Sequence, residues 1–318
     1  MKPFLLELLI CPACLPEESP LQATQLDVQQ QDIISGQMLC KVCRRSYPIR
    51  QGVAFLTAPS QPSNLSPSKY ETAAVLSSYL WSHYGDLLND RDASKAYQQW
   101  ADLLQPKKGL AIDIGAAVGR FSFELSHKCE RVIGVDSSYS FVKAARNLLL
   151  DRKIEVELAV EGRLARKQTL AIPREWATQR TDFIVADALA LPFRQSTFST
   201  VASLNLLDKV PKPLQHLKEL NRIAHCRDAQ FLCSDPFSWS TEVAIEQDWL
   251  GGTTEGPHAG RGMDNLNSLL QGQDNHLQPP WKINRQGQVW WKIRTHCNHF
   301  ELIRSCYITA DRDPYRRD

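Results

Sequence analysis

A chain of 318 residues that is 43% hydrophobic holds enough apolar material for a full core, and its length suggests one large domain plus a smaller module. A formal net charge of +2 lacks the basic excess that marks a nucleic-acid surface, so a nucleic-acid partner is not favoured. No segment approaches the roughly 20 apolar residues of a membrane span, so no membrane partner is expected.

The opening "MKPFLLELLICPAC" has a short apolar run, but Glu7 interrupts it and the bulky Ile10 stands where a cleavage site wants a small residue. The chain therefore reads as cytoplasmic. Thiols stay reduced there, and nine cysteines need a role other than disulfides. Four of them form two Cys-x-x-Cys knuckles, Cys11/Cys14 and Cys40/Cys43, separated by a polar stretch without strong periodicity. Each knuckle turns two thiolates toward one ion, and together they predict a closed, tetrahedral structural zinc site. A short strand pair over "RRSYPIRQGVAFL" would close this ribbon. The Pro- and Ser-rich "TAPSQPSNLSPS", Thr57 to Ser68, reads as a linker. The expected domains are a zinc ribbon over residues 1–60 and a larger domain over 61–318. So small a ribbon should fold on its metal, and zinc loss should unfold it while sparing the rest.

From Tyr70 the pattern changes. "YETAAVLSSYLWSHYG" and the stretch from Ala93 to Leu104 have helical spacing, and "LAIDIG", "RVIGVD", "DFIVAD", "FSTVASLN" and "AQFLCSD" read as strands. The alternation predicts an α/β, Rossmann-like, mostly parallel sheet that binds ligands beyond the carboxyl ends of its strands. Near the carboxyl terminus, His296, Cys297 and His299 have no matching ligand pair nearby and predict a packed strand or helix, not a second metal site. Cys129, Cys226, Cys233 and Cys306 read as buried, and the final "RRD" as a solvated tail.

In "DIGAAVGR", Gly115 allows close backbone approach by a ligand and Gly119 allows close helix packing; Ala116 and Arg120 lie in the same turn. Asp136, followed by Ser137, ends the next strand about 20 residues on, where an acid binds a ribose diol. A pyrophosphate site would want glycine at Ala117, and Asp113 would repel phosphate but suits a cationic amino group. Asp187 is placed to reach an adenine amino group, with Ala188 and Leu189 flanking the ring. The expected cofactor is S-adenosyl-L-methionine (SAM), alongside structural zinc.

These features resemble class I methyltransferases over Leu110 to about Asp235. With "YETAAVLSSYLWSHYG", "EGRLARKQTL", "NLLDKVPKP" and "DPFSWSTEVAIEQDWLGG" included, the chain resembles the 4-mercaptohistidine N-methyltransferase family of ovothiol biosynthesis over most of residues 70 to 310. The ribbon resembles that of some rRNA guanine methyltransferases and of tRNA-methyltransferase activator subunits. Two departures stand out: the family's cysteine after the first glycine is Ala116 here, and its glycine-rich turn before "FLCSDP" is "CRDA".

The resemblance implies methyl transfer to the imidazole nitrogen of a small (thio)histidine. The rival reading is an RNA or protein methyltransferase whose ribbon grips a macromolecule. Candidate acceptor residues are Tyr70, His83, Tyr84, Asn205, Asp235, Trp239 and Trp249. Asn205, Tyr84 and His83 are the catalytic candidates, with Asn205 the first choice for holding the ring N–H; Asn205 also follows a strand on the cofactor side.

Overall fold

The computed structural model describes residues 1–57 and 69–313. The linker read at Thr57 to Ser68 and the final "RRD" therefore lie outside the described residues, apart from Thr57. The amino-terminal part holds β1 (Leu21–Gln29), β2 (Asp32–Cys40), β3 (Ser46–Arg50) and β4 (Val53–Leu56). The pairing of β3 with β4 is the strand pair expected over "RRSYPIRQGVAFL". The β1–β2 hairpin fills the stretch that shows no periodicity in sequence. All but two residues of β1 are exposed, so it presents no apolar alternation to read.

The larger part begins with α1 (Ala73–Tyr84), capped by the Thr72 side chain accepting from Val75 N–H, and α2 (Ala96–Asp102). Then come β5 (Leu110–Ile114), α3 (Arg120–Leu125), β6 (Arg131–Asp136) and α4 (Tyr139–Asp151). A hairpin of β7 (Lys153–Glu161) and β8 (Leu164–Ala171) is inserted before β9 (Thr181–Ala186). Next are β10 (Thr200–Leu204), α5 (Pro213–Ile223), β11 (Gln230–Asp235) and α6 (Gly262–Leu270). The chain ends on a long antiparallel pair, β12 (Lys282–His296) and β13 (His299–Asp311).

The main sheet runs β1-β2-β3-β4-β9-β6-β5-β10-β11-β13-β12. Its centre, β9-β6-β5-β10-β11, is parallel, as the alternation of elements predicts. These strands are buried on both faces. Ile112, Ile114, Ile133, Val135, Ile184 and Ala186 join one core, while their alternate neighbours Ala111, Val132, Phe183 and Val185 join two others.

The ribbon is not a separate unit. Its last strand, β4, pairs in parallel with β9, Phe55 opposite Val185 and Leu56 opposite Ala186, so ribbon and large domain share one sheet. They also share a core: Met1, Leu5, Leu9, Ile33, Met38 and Tyr47 pack in one cluster with Ile112, Ile133, Leu217 and Leu266. A buried ion network crosses the junction. Arg146 of α4 pairs with Asp182 of β9 and, at 3.4 Å, with Asp32 of β2, while Lys2 N–H donates to Asp182. The large domain's own Arg146–Asp182 pair thus takes further partners from the ribbon, Asp32 and the Lys2 N–H. With sheet and core shared, zinc loss is expected to disturb β9 as well as residues 1–60, in place of the independent unfolding expected from size alone.

Two further expectations need correction. Cys226 is exposed and Cys306 half-buried, because Cys226 sits in the turn before β11 and Cys306 on the long antiparallel pair; only Cys129 and Cys233 are buried.

Replacing Arg146 with Met would leave buried Asp182 and Asp32 without their guanidinium, with only the Met1 ammonium nearby, a change that costs about 3–5 kcal/mol. Chemical denaturation of Arg146→Met should show that loss in one transition, reported alike by ribbon and main-sheet probes. Two separate transitions, the later one unchanged, would contradict the shared core.

Candidate functional site

The parallel strands deliver their carboxyl ends to one edge of the sheet, and the strand order reverses at β5. The chain leaves β5 for β6 and β9 on one side and returns to β10 on the other. A crevice opens where strand order reverses in this way. Gly115 (φ +79°) lines it, and a side chain there would meet Leu206 from the far wall, about 3.0 Å from an added Cβ.

The turn after β5 is held from behind. Gly115 and Ala116 donate their N–H groups to Val135 O, and Tyr84 Oη donates to Val118 O at 2.7 Å. Ala117, where a dinucleotide fingerprint has glycine, still adopts left-handed backbone at φ +46° and donates its N–H to Asp136 Oδ2 at 2.9 Å. Gly119 is required by packing: an added Cβ would lie 2.6 Å from Phe183 Cζ and 3.0 Å from Ala145 Cβ. This matches its expected role.

Asp136 is partly exposed, and its Oδ1 accepts from Ser138 N–H at 2.8 Å. Each carboxylate oxygen thus takes one backbone donor and keeps a lone pair for a hydroxyl. Burial pushes its pKa up to about 6. Asp113 is buried, accepts from Ser122 Oγ at 2.7 Å, and is pushed up to about 7 by burial, with Asp136 adding to the shift. A neighbouring cation would restore both to the charged form. The pair fits the ribose hydroxyls and positive charge of SAM and disfavours a pyrophosphate. Ser137 is exposed beside Asp136. On the next strand end, exposed Asp187 orders its turn by accepting from Leu189 N–H at 2.9 Å, and Ala188 O contacts His216 Nδ1 at 3.2 Å.

Three sequence-predicted residues lie behind the site. Arg120 is buried against Asp86 and Glu124 and donates to His83 O, so its guanidinium is spent inside the fold. Tyr84 is fully buried with its hydroxyl on Val118 O, which makes it a support of the glycine turn and not a contact for an acceptor. His83 is also buried. Its Nε2 meets Tyr97 Oη at 2.7 Å while Nδ1 has no partner among the described residues, and burial, then Arg120, hold the ring neutral. That makes it a weak base, and its burial keeps it from the crevice. Tyr70 packs edge-on against Tyr79 and Phe141, and burial, with Tyr70 and Asp136 nearby, raises the Tyr79 phenol. Tyr70, Tyr79, His83 and Tyr97 thus form an aromatic strip on the Asp136 side.

The other wall comes from the ends of β10 and β11. Asn205 (φ +55°) donates its backbone N–H to Ser234 O at 2.6 Å. Its Oδ1 accepts from Ser305 Oγ at 2.5 Å, and Ser305 Oγ accepts from Trp291 Nε1 at 2.9 Å. An indole N–H can only donate, so this relay fixes the amide with its NH₂ away from Ser305. Asp235 is fully buried and accepts from Asp208 N–H and Phe237 N–H. Trp239 lies parallel to Trp249, centroids 6.4 Å apart, and Trp249 Nε1 donates to Ala244 O. The Trp-Leu-Gly-Gly segment finds its reason here: Gly252 (φ +82°) would place a Cβ 2.9 Å from Trp239 Cδ1. Sequence reasoning missed Asp208, Tyr79, Tyr97 and Ser305; of these Asp208 and Tyr79 lie in stretches the resemblance singles out, "NLLDKVPKP" and "YETAAVLSSYLWSHYG".

In the ribbon, Cys11, Cys14, Cys40 and Cys43 place their sulfurs within 4.8 Å of one another, with Cys11–Cys43 at 3.6 Å and Cys14–Cys40 at 3.7 Å. Zinc bound tetrahedrally at a Zn–S distance of about 2.3 Å puts its sulfurs about 3.8 Å apart, so the cluster fits a structural zinc. Tyr47 Oη lies 3.2 Å from Cys11 Sγ and can support a thiolate. It is the one such cluster among the described residues; His296 and His299 stack at the β12–β13 turn, a strand pair as expected. Two hollows of about 310 and 510 Å³, bordered by Gln105 and Arg312 and by Lys218 and His276, lie away from the crevice.

Residues 2–52 match the family described as Trm112p-like protein, and residues 112–226 match the methyltransferase domain family. No curated protein matches the chain. Among solved structures, a SAM-dependent methyltransferase from Methanosarcina mazei is 18% identical, covering 67% of this chain and 95% of its own, with a TM-score of 0.42. A chain from the complex between the Haloferax volcanii Trm112 methyltransferase activator and a methyltransferase is 13% identical, covering 78% and 100%, with a TM-score of 0.44. YcgJ of Bacillus subtilis is 12% identical, covering 69% and 98%, also at 0.44. Likenesses this distant assign no activity. Among the described residues no helix is long and apolar enough to cross a membrane.

Two outcomes follow from the geometry. Asp113 and Asp136, raised above the ordinary 3.8, contribute stability that is fully present below about pH 4 and lost as pH rises through about 6 to 7. A bound cation reverses the preference, so SAM binding should release protons near pH 6–7 and tighten as pH rises through that window. Calorimetry in buffers of different ionisation enthalpy measures this; pH-independent affinity would contradict it. Ala117→Gly removes a left-handed alanine that costs about 1–2 kcal/mol, less the entropy of a glycine, and should raise denaturation stability by about 0.5–1 kcal/mol. A loss of stability would show that the alanine side chain makes a necessary contact.

Proposed function

We propose that this chain, a class I SAM-dependent methyltransferase domain joined to an amino-terminal Trm112-like zinc-binding domain, methylates an imidazole nitrogen of a small histidine derivative, thiolated ones above all. The observation that carries the reading is the burial of the acceptor wall. Asp208 is no more than 2% exposed just beyond β10, and its Oδ1 has no partner among the described residues; an open acceptor so enclosed suits a small molecule at this wall.

SAM, when bound, supplies a methyl group already activated on a sulfonium. The chain then has little chemistry to do beyond placement. Gly115 to Ala117 would set the backbone against the cofactor, Asp136 would take the ribose hydroxyls, and Asp113 would favour the amino group. The aromatic strip would exclude water and tolerate positive charge as it moves toward the acceptor. A neutral imidazole nitrogen already carries the attacking lone pair, so no strong base is needed. The neutral state of buried His83 is consistent with that.

A second reading, methylation of RNA or protein with the ribbon as grip, draws on the Trm112p-like match over residues 2–52. β4 lies four strands from β10, about 19 Å at 4.8 Å per strand, but the ribbon also reaches the 192–195 segment and Arg222 of α5 through Leu9, Ile10 and Glu18, so the fold leaves this reading open to the assay.

Labelled SAM should be incubated with the protein and, separately, with histidine, 4-mercaptohistidine, 2-mercaptohistidine, a histidine-containing peptide, bulk RNA and unfractionated protein. Label on a ring nitrogen of a small imidazole is the expected result. Label confined to RNA or protein would replace this reading with the second.

A further inference from the structure

The acceptor wall holds two buried polar atoms that no described residue satisfies. The Asp208 side chain is fully buried. Its Oδ2 accepts from Ser238 N–H at 2.7 Å and from Lys209 Nζ at 3.0 Å, while Oδ1 has no partner among the described residues. One residue beyond Ser238, the Nε1 of Trp239 is likewise buried and unpartnered. The bond from Ser238 N–H holds the 237–239 segment against the Asp208 carboxylate, so an open acceptor and an open donor belong to one small region.

The surroundings keep that region fixed. Asp235 binds the backbone of both segments through Asp208 N–H and Phe237 N–H, and Phe237 turns the chain at φ +54°. Burial, then the neighbouring Asp208, pushes the Asp235 carboxyl far up. Lys209 is partly exposed and engages only Oδ2. The ring of Trp239 is clamped between Trp249 and the backbone at Gly252. Asn205, the first choice from sequence, has one of its two carbonyl lone pairs taken by Ser305, whereas Asp208 Oδ1 has no partner among the described residues.

We propose that Asp208 Oδ1 and Trp239 Nε1 are the recognition pair for the methyl acceptor: the carboxylate takes the N–H of an imidazole ring, and the indole N–H donates to a sulfur or carboxylate on the same molecule. This rests on the small-imidazole reading above and adds the residues that select it. Holding one ring nitrogen as N–H leaves the lone pair on the other. That nitrogen bonds the methyl carbon as the carbon–sulfur bond breaks, with the bonding pair staying on sulfur. Positive charge passes to the ring, where the Asp208 carboxylate balances it, and the ring N–H proton is lost to water after release.

The test uses the full chain saturated with S-adenosylhomocysteine, which cannot react, and titrates histidine and 4-mercaptohistidine by calorimetry into wild type, Asp208→Asn and Trp239→Phe. The charge-assisted bond predicts at least a tenfold loss of acceptor affinity in Asp208→Asn, and the neutral one about a three- to tenfold loss in Trp239→Phe, with S-adenosylhomocysteine affinity within about twofold of wild type. Acceptor KM in turnover assays should rise in parallel. Acceptors bound equally by wild type and both variants would overturn the assignment alone. No binding of either imidazole to wild type would overturn the small-imidazole reading together with it. If Asp208→Asn fails to fold, Trp239→Phe decides: unchanged acceptor affinity there overturns the pair.

Discussion

The site depends on one topological constraint, the position of β5 between β6 and β10 with the chain leaving it in opposite directions. Parallel strands buried on both faces aim their carboxyl ends the same way, and only at the reversal do two neighbouring strand ends diverge enough to admit a ligand. The glycine turn and Asp136 stand on one side of that opening; Asn205, Asp208 and Asp235 stand on the other. Each wall is tied to its own supports: Tyr84 and Gly119 behind the cofactor turn, Ser305 and Trp291 behind Asn205. The antiparallel β12–β13 pair therefore does more than finish the sheet, because it supplies the hydroxyl that orients the Asn205 amide at the end of β10.

The ribbon enters through a second constraint, the parallel pairing of β4 with β9. Strand addition alone would be a weak joint. The buried charges of Arg146, Asp182 and Asp32 make it specific, since the Arg146–Asp182 pair reaches across to Asp32 of the ribbon and parting the halves would break that contact. A zinc cluster at one end of the sheet is in this way coupled mechanically to β9, whose carboxyl end continues into the Asp187 turn. The metal needs no place in the chemistry to matter for the shape of the site.

Much of this was legible in the sequence. Apolar runs fixed by burial on both faces announced β5, β6, β9, β10 and β11, and the spacing of glycines announced the turn after β5. Paired Cys-x-x-Cys knuckles announced the metal cluster. What stayed hidden has physical reasons. An exposed hairpin such as β1–β2 carries no apolar alternation, and strand order at the β4–β9 junction is a long-range property. His83, Tyr84 and Arg120 have the chemistry of site residues and lie near the site, but sequence cannot show whether a polar group is spent on an interior partner. Asp208 was missed for the converse reason: its one open oxygen is visible only once Ser238 and Lys209 are seen to fill the other.

The central claim is that the β5–β10 crevice is where the cofactor binds. Hydrogen exchange of the backbone amides with and without S-adenosylhomocysteine tests it most directly. The account predicts slowed exchange at Gly115 to Ala117 and at Asn205 to Asp208, on both sides of the reversal, with the β1–β2 hairpin unchanged. Protection confined to the ribbon, or absent from both crevice walls, would contradict it.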